Sequence, residues 1–475
     1  MQASASPASG PQAPGLCFDM TSARLLLASL LLACSGDAPE PEPVDLGDPT
    51  DTFPSFYGKV PKNVLMISID TFRRDAMSRY DPLKQDDTPF LGAMAAAGVA
   101  LDDHTTCSNW TFAGIGCTLY GADVETTGFT PQLTATGQAA WPEATFLAGY
   151  LKEQQGMVTV LSSTNGWFAE EWGLTQGYDV WFHPKNGSTW GTYREGRDAL
   201  LAELDVADDD PPWFLHLHLI EPHVPYKAPA AYDPSPSNLE PIPWDLSVKE
   251  DHYDLTRSTW PDLDDDTQDL VEEHLQYQYR AELRYMDAQI QDALADADRK
   301  GLLDDTLVVV WTDHGEQFWE HDYQSHAYTL FREENDGIAL FWAKNIVPQA
   351  WEGPTTSPDI APTLLTVLGG TVPPQMTGKP LGTADEDRAR YAFSVARLGG
   401  VQSVQKNGHK LTYSWSSGGA RYFDLNTDPE ELDDRFDPED PKVQELWSLL
   451  LPRVQMARPL APNVAQVWPV GLPIE

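Results

Sequence analysis

Residues 63–70 read NVLMISID, a continuous apolar run closed by Asp70. A strand with one wet face alternates apolar and polar side chains. An unbroken run describes a strand buried on both faces, as in a parallel sheet covered by helices. The signature returns as MVTVLSS at 157–163, WFLHLHLI at 213–220, TLVVVWTD at 306–313 and GIALFWA at 337–343. Helical stretches lie between them: over 279–300, Leu283, Met286, Ile290 and Leu294 recur at steps of three and four, marking one face of a helix. Strands alternating with helices predict an α/β domain with a mainly parallel central sheet. Ligands of such sheets bind beyond the carboxyl ends of the strands. Asp70 and Asp313 each close an apolar run, so one shared site is expected there.

The rest of the composition sets outer limits. The 475 residues carry 31 Lys+Arg against 72 Asp+Glu, a formal net charge of −41, with 41% hydrophobic and 11% aromatic residues. That content builds a large core and excludes global disorder. The charge would repel a phosphate backbone, so no nucleic-acid partner is expected. It suits a saline habitat, and stability is expected to rise with salt as self-repulsion is screened. A urea midpoint that does not increase between 0.1 and 2 M NaCl would discard this expectation. Four cysteines are too few for a disulfide scaffold. The acidic runs 205–212 and 261–268 bracket an insertion at about 228–270, expected as surface loops. Beyond about 385, YAFSVARL, VQSVQKNG and KLTYSWSS stand near turn signals and predict short antiparallel strands, so 386–475 reads as a smaller C-terminal subdomain and tail.

At the other end no run reaches the roughly 18 apolar residues of a membrane span. Residues 25–33 (LLLASLLLA), preceded by Met20 and Arg24 and ended by Cys34, read as a secretory signal. The string LLAC at 31–34 resembles the lipobox of bacterial lipoproteins, in which the cysteine is lipidated. Residues 1–34 are then an over-long start and signal peptide, and the acidic, Pro-rich 35–54 is a stiff tether to a body beginning at 55. The expectation is an exported protein of the bacterial cell envelope, lipid-anchored to a membrane at Cys34 and facing the periplasm or the cell surface. The alternative is an ordinary signal peptide that contains a cysteine.

Four segments hold candidates for chemistry: SIDTFRRDA with Asp70, SNWTFAGIGCTLYG with Thr111 in a Gly-bearing turn, EPHVPY with His223, and WTDHGEQFWEHD followed by SHAYTLF with Asp313, His314 and His326. Two carboxylates and an imidazole suit one divalent metal ion, and a hydroxyl beside it can act as a nucleophile. Singly, each has a plain structural role: a strand-end Asp as a cap, a Thr in a turn, a His stiffening a loop. His216 and His218, alternating along one strand, read as structural.

Taken in order, these segments resemble the sulfatase family of the alkaline phosphatase superfamily over nearly all of 60–435. NVLMISIDTFRRD looks like the family's first strand and metal Asp, and EPHVPY like its Pro-His-x-Pro-Tyr motif. YRAELRYMDAQIQDALADADRKGLLDDTLVVVWTDHGE is similar to its helix–strand–Asp-His-Gly-Glu unit, while SPDIAPTLLTVLGG and YFDLNTDPEELDD match later signatures. The resemblance implies an alkaline-phosphatase-like sandwich at 55–385 that hydrolyses sulfate or phosphate esters. Its substrate is a small-molecule, glycan or lipid ester. It assigns Asp70, Asp313, His314 and the Thr111 oxygen to one divalent metal. Family practice favours Ca²⁺, whereas the imidazole ligand leans towards Mn²⁺ or Zn²⁺. Thr111 takes the nucleophile position, and His223 and His326 contact the transferred group or protonate the leaving oxygen.

The nucleophile segment departs from the family's Cys/Ser-x-Pro-x-Arg. Thr111 cannot become formylglycine, the Pro and Arg are absent, Gly121 is followed by Ala122 rather than a basic residue, and His326 stands where many sulfatases have Lys. An unmodified Thr is better matched to phosphoryl transfer, so a phosphoester or phosphonate ester is the favoured substrate. A catalytically inactive surface-binding lipoprotein is the alternative, and a phosphoethanolamine-type transferase a weaker one. In an exported protein Cys107 and Cys117, four residues before and six after Thr111, either pair to brace that loop or stand as two small buried thiols.

Overall fold

In a computed structural model of the chain, residues 48–129, 145–182, 189–206, 210–383, 385–395, 399–461 and 464–474 are described. The leader with Cys34 and the tether up to residue 47 lie outside the described residues. The opening run forms β1 (Asn63–Ile69). It sits inside an eight-stranded sheet with β2 (Val99–Thr105), β3 (Val158–Ser163), β4 (Val180–Phe182), β5 (Trp213–Leu219), β6 (Thr306–Thr312), β9 (Ala339–Trp342) and β10 (Gln349–Thr356), the hairpin pair β7 (Gln317–Phe318) and β8 (Gln324–Ser325) lying outside it. The order is β10-β2-β9-β6-β1-β5-β3-β4. All neighbours are parallel except at β9, which runs antiparallel to both β2 and β6.

Alternation along each strand feeds two cores. Val64 and Met66 join Phe214, Leu307, Val309 and Trp311 on one face. Leu65, Ile67 and Ile69 join Leu215, Leu217, Val308 and Val310 on the other. Neither face is wet, hence the unbroken apolar run. The parity that buries Val64 and Met66 carries on through Ser68 to Asp70, and that of Val309 and Trp311 on to Asp313. The two carboxylates therefore leave the sheet on the same face, at the same end.

The helix Asp265–Arg299 packs along the second core, starting from the cap Asp264, whose side chain accepts from Thr267 N. It begins well before the periodic stretch read from sequence, because its first turns bury only Val271, Leu275 and Tyr279 among acidic residues. Halfway along it, the buried Asp287 accepts hydrogen bonds from Phe90 N (2.9 Å) and Leu91 N (2.8 Å). These are free donors at the start of the helix Pro89–Ala96, whose own cap Thr88 makes no side-chain capping bond and accepts from Ser78 N (2.9 Å) instead. Asp287→Ala is expected to lower unfolding free energy by about 1–3 kcal/mol, since two buried N–H groups lose their acceptor. Urea denaturation measures it, and a change under about 0.5 kcal/mol, the range of an ordinary surface substitution, would refute the role.

Two expectations are corrected. The insertion is not plain surface loop: it contains the helix Lys249–Asp254 and a π-turn. Its Trp260 stacks on Trp319 at 3.5 Å between ring centroids. The last tether residues pack on the body through the bridge Pro49–Tyr57 and through Phe53 against Trp351. Strands β2 and β10 have no apolar signature to find, because Asp102 and Asp103 interrupt one and the other is half exposed. The antiparallel C-terminal sheet is as expected: β11 (Arg390–Ser394), β12 (Val401–Lys406), β13 (His409–Ser414) and β14 (Ala420–Asp424), in that order, covered by the helix Pro441–Ala457. Its first strand reaches the segment before Thr111, where Phe393 N donates to Cys107 O (3.0 Å) and Ser108 Oγ to Phe393 O (2.9 Å). No helix among the described residues is long and apolar enough to cross a membrane.

Candidate active site

Asp70 follows β1, its N–H still in the ladder to Leu219 O. Thr71 then turns at φ +55°, a costly value for a β-branched residue. Tyr279 pins this turn by donating to Thr71 O (2.8 Å) while accepting from Arg73 N (2.9 Å). Asp313 follows the neighbouring β6. Its Oδ1 accepts from His314 N at 2.8 Å, and its Oδ2 is buried without a partner. Asp70, Asp313 and His314 are fully buried, and one ligand atom from each lies within 4.8 Å of the others.

Thr111 is not in a turn, as expected, but is the first residue of the helix Thr111–Tyr120. Its Oγ1 lies 3.4 Å from His314 Nε2 and 3.4–3.5 Å from the Asp70 carboxylate oxygens. The helix comes this close because residue 114 is glycine: a Cβ there would stand 2.6 Å from Asp313 O. Free N–H groups at a helix start favour negative charge nearby. The sulfurs of Cys107 and Cys117 meet in a disulfide that ties the preceding loop to this helix, Cα atoms 6.7 Å apart.

His314 Nδ1 lies 2.9 Å from Gly315 O, so it carries the ring proton and leaves Nε2 with a lone pair. That Nε2 faces Asp70 Oδ1 (3.6 Å), Asp313 Oδ2 (3.7 Å) and Thr111. Burial, then the neighbouring His326, pushes the His314 pKa down to about 3. Burial, then Asp70, holds the Asp313 carboxyl well above its ordinary range. Burial also raises Asp70, but the neighbouring His223, His218 and His314 outweigh it and keep this carboxyl ionised. Two facing carboxylates, an unpartnered oxygen and an aimed lone pair together form a donor set that fits one divalent cation.

His223 and His326 complete the rim. The His326 ring lies 4.5 Å from that of His314 and 5.1 Å from that of His223. His326 Nδ1 meets Glu316 Oε1 at 3.2 Å. The loop carrying it holds Trp319, Asp322, Ser325 and Ala327 at positive φ. All the sequence-predicted site residues among the described ones thus converge. Sequence reasoning missed Asn165, whose Nδ2 donates to Asp70 Oδ2 (2.9 Å). The available signal was its place just past β3, at the same sheet end.

Glu334 was also missed. It is fully buried and accepts from Asn109 Nδ2 (2.9 Å), Thr329 N (3.0 Å), Thr329 Oγ1 (2.9 Å), Tyr328 N (3.3 Å) and Gln317 Nε2, tying the segment before Thr111 to the loop after His326. Burial pushes Glu334 up to about 8, and Asp287, Glu125 and Glu282 each to about 7. Raised carboxyls stay protonated in the fold while the unfolded chain ionises near pH 4. The unfolded state then binds fewer protons, so their contribution is full below about pH 4 and is lost as pH rises to about 8. The melting temperature of metal-free protein is expected to fall between pH 5 and 8; a rise across that window would contradict the assignment.

A mainly parallel sheet that gathers two buried carboxylates, an imidazole and a helix-starting hydroxyl at its carboxyl edge has the architecture of the alkaline phosphatase superfamily. The chain belongs to the sulfatase family, whose family model matches residues 62–370. It is 24% identical over 323 residues to an arylsulfatase of Clostridium perfringens, covering 62% of each chain. It is 27% identical over 223 residues to the multifunctional alkaline phosphatase superfamily protein PehA of Trinickia caryophylli, covering 40% of this chain and 38% of that one. The chain thus spans less than two thirds of the length of these curated relatives. Among solved structures, the phosphonate monoester hydrolase of Silicibacter pomeroyi aligns with a TM-score of 0.63 at 19% identity, over 85% of this chain and 96% of that one. BT4656 in complex with its substrate D-glucosamine-2-N,6-O-disulfate aligns with a TM-score of 0.65 at 17% identity, over 85% and 99%. These likenesses establish the fold.

Proposed function

We propose that the chain is a metal-dependent hydrolase of phosphorus esters, phosphate or phosphonate, with Thr111 as nucleophile. The observation that carries the reading is Thr111 Oγ1, buried at a helix start within 3.5 Å of both Asp70 and His314. Asp70, Asp313 and His314 would hold one divalent cation, with Ca²⁺, Mn²⁺ and Zn²⁺ as candidates. When bound it supplies charge neutralisation for the transferred group and eases loss of the Thr111 proton. Thr111 Oγ, its proton passed to water, attacks phosphorus in line, its bond forming as the bond to the leaving oxygen breaks. His326 or His223 gives a proton to that oxygen and later takes one from the water that cleaves the Thr ester. Helix N–H groups face the developing negative charge.

Phosphorus is favoured over sulfur because threonine cannot provide an aldehyde hydrate. The named activity of the Silicibacter enzyme, phosphonate monoester hydrolysis, accords with this choice. We place the chain in the cell envelope, anchored through Cys34, on the leader alone. The test is a set of initial rates on the 4-nitrophenyl sulfate, phosphate, phenylphosphonate and bis-phosphodiester, with and without each metal. Turnover confined to phosphorus esters is expected. Turnover of the sulfate alone would overturn the substrate choice, and silence in a metal-loaded protein would leave a surface-binding lipoprotein.

A further inference from the structure

On the parity that carries Asp70 out of the sheet, β1 and β5 bury an unbroken polar row. Tyr178 Oη meets His216 Nδ1 at 2.8 Å, His216 Nε2 meets Ser68 Oγ at 2.8 Å, and Ser68 Oγ meets His218 Nδ1 at 2.8 Å. The row ends at His218 Nε2, fully buried, without a hydrogen-bond partner and 3.8 Å from Asp70 Oδ2. All four side chains are buried, so water cannot complete their valences.

The direction of every proton in this row follows from its far end. Among the described residues the Tyr178 hydroxyl has one hydrogen-bond partner, His216 Nδ1, so leaving its proton unmet would cost the penalty of a buried orphan donor. Burial raises the phenol well above its ordinary pKa and, with His218, lowers that of His216, so the phenol keeps its proton and His216 holds only one. Tyr178 then donates to His216 Nδ1, which places the His216 proton on Nε2. His216 donates to Ser68, and Ser68 donates to His218 Nδ1. The remaining His218 proton must sit on Nε2, the atom that faces Asp70.

We propose that His218 is a positioning residue whose Nε2–H, together with Asn165 Nδ2–H, holds Asp70 Oδ2 and leaves Oδ1 facing His314 Nε2. The inference rests on the reading of Asp70 as a metal ligand. It also excludes His218 itself as a ligand through Nε2. Outer partners of this kind typically change metal affinity by about 10–100-fold when removed.

The experiment has two arms. Ca²⁺ and Mn²⁺ are titrated by calorimetry into metal-free wild type, His218→Leu, His218→Gln and Tyr178→Phe. Metal-free wild type labelled with ¹⁵N-histidine is examined by long-range proton–nitrogen correlation. Expected are a loss of about tenfold or more in affinity for His218→Leu, recovery of most of it in His218→Gln, whose amide still donates, and a smaller loss in Tyr178→Phe. The His218 proton is expected on Nε2. Affinity in folded His218→Leu equal to wild type, or a His218 proton on Nδ1, would overturn the proposal. If His218→Leu does not fold, Tyr178→Phe and the tautomer decide it. A wild type that binds neither cation would refute the metal reading, while the tautomer would still decide the hydrogen-bond assignment.

Discussion

Thr111→Ala is expected to lower turnover of the preferred ester by at least about a thousand-fold, because a covalent route loses its attacking atom and not merely a contact. Little else should change. Alanine is tolerated at a helix start, and the change removes only a few buried atoms, so melting temperature should stay within a few degrees. Asp70, Asp313 and His314 remain in place, so the variant should still take up the cation. Thr111→Ser should keep much of the rate, since it preserves the hydroxyl. An acid quench during turnover should trap a phosphoryl or phosphonyl adduct on the peptide containing Thr111. Its absence together with an undiminished rate in Thr111→Ala would remove this residue from the reaction.

Removal of the cation, by chelation or by His314→Ala, carries the second large effect. Turnover should fall by at least about a hundred-fold, and readdition should restore it in the chelated wild type but not in the variant. Stability should fall too, because the cation binds only the folded protein: at a hundred times its dissociation constant it contributes about 2.7 kcal/mol. The pH dependence has a defined sign. His314 stays neutral above about pH 3, so its Nε2 lone pair is available throughout the working range. The buried Asp313 carboxyl is raised by burial and by Asp70, so in metal-free protein a proton competes with the cation. Affinity should therefore increase as pH rises, with proton release seen by calorimetry in buffers of different ionisation heat. Affinity that is flat from pH 5 to 8 would argue that Asp313 is already ionised without metal.

The parts of this site legible in sequence are those that strand grammar determines. Asp70 and Asp313 end two unbroken apolar runs, and such runs have few places to go other than adjacent central positions. His314 follows by adjacency. Thr111, His223 and His326 could be placed only by resemblance, since no periodicity distinguishes them from loop residues. Asn165 offered only its place just past β3, and the role of His218 was not legible. The role of His218 depends on the register that sets it beside Ser68, and that of Asn165 on a loop bending back across the sheet. Glu334 was hidden for a similar reason: in Arg332–Asn335 it reads as one of two surface acids, yet five donors from three segments converge on it.

The strand order has a consequence for the timing of assembly. β1 is the first of the sheet's strands to leave the ribosome, yet its two neighbours follow 150 and 243 residues later. Until residue 312 has been made, its apolar backbone has an open edge on at least one side, a template for pairing with another chain. Closure of so long a loop is slow, and partly made chains of this kind are the ones that aggregate. Helix Pro89–Ala96 waits similarly, its terminal N–H groups uncapped until Asp287 arrives. The half-sheet β1-β5-β3-β4 is complete in the chain once residue 219 is made, but β1 keeps its other edge open until β6 arrives, and chaperone capture of chains stopped before residue 312 would be the mark of that edge.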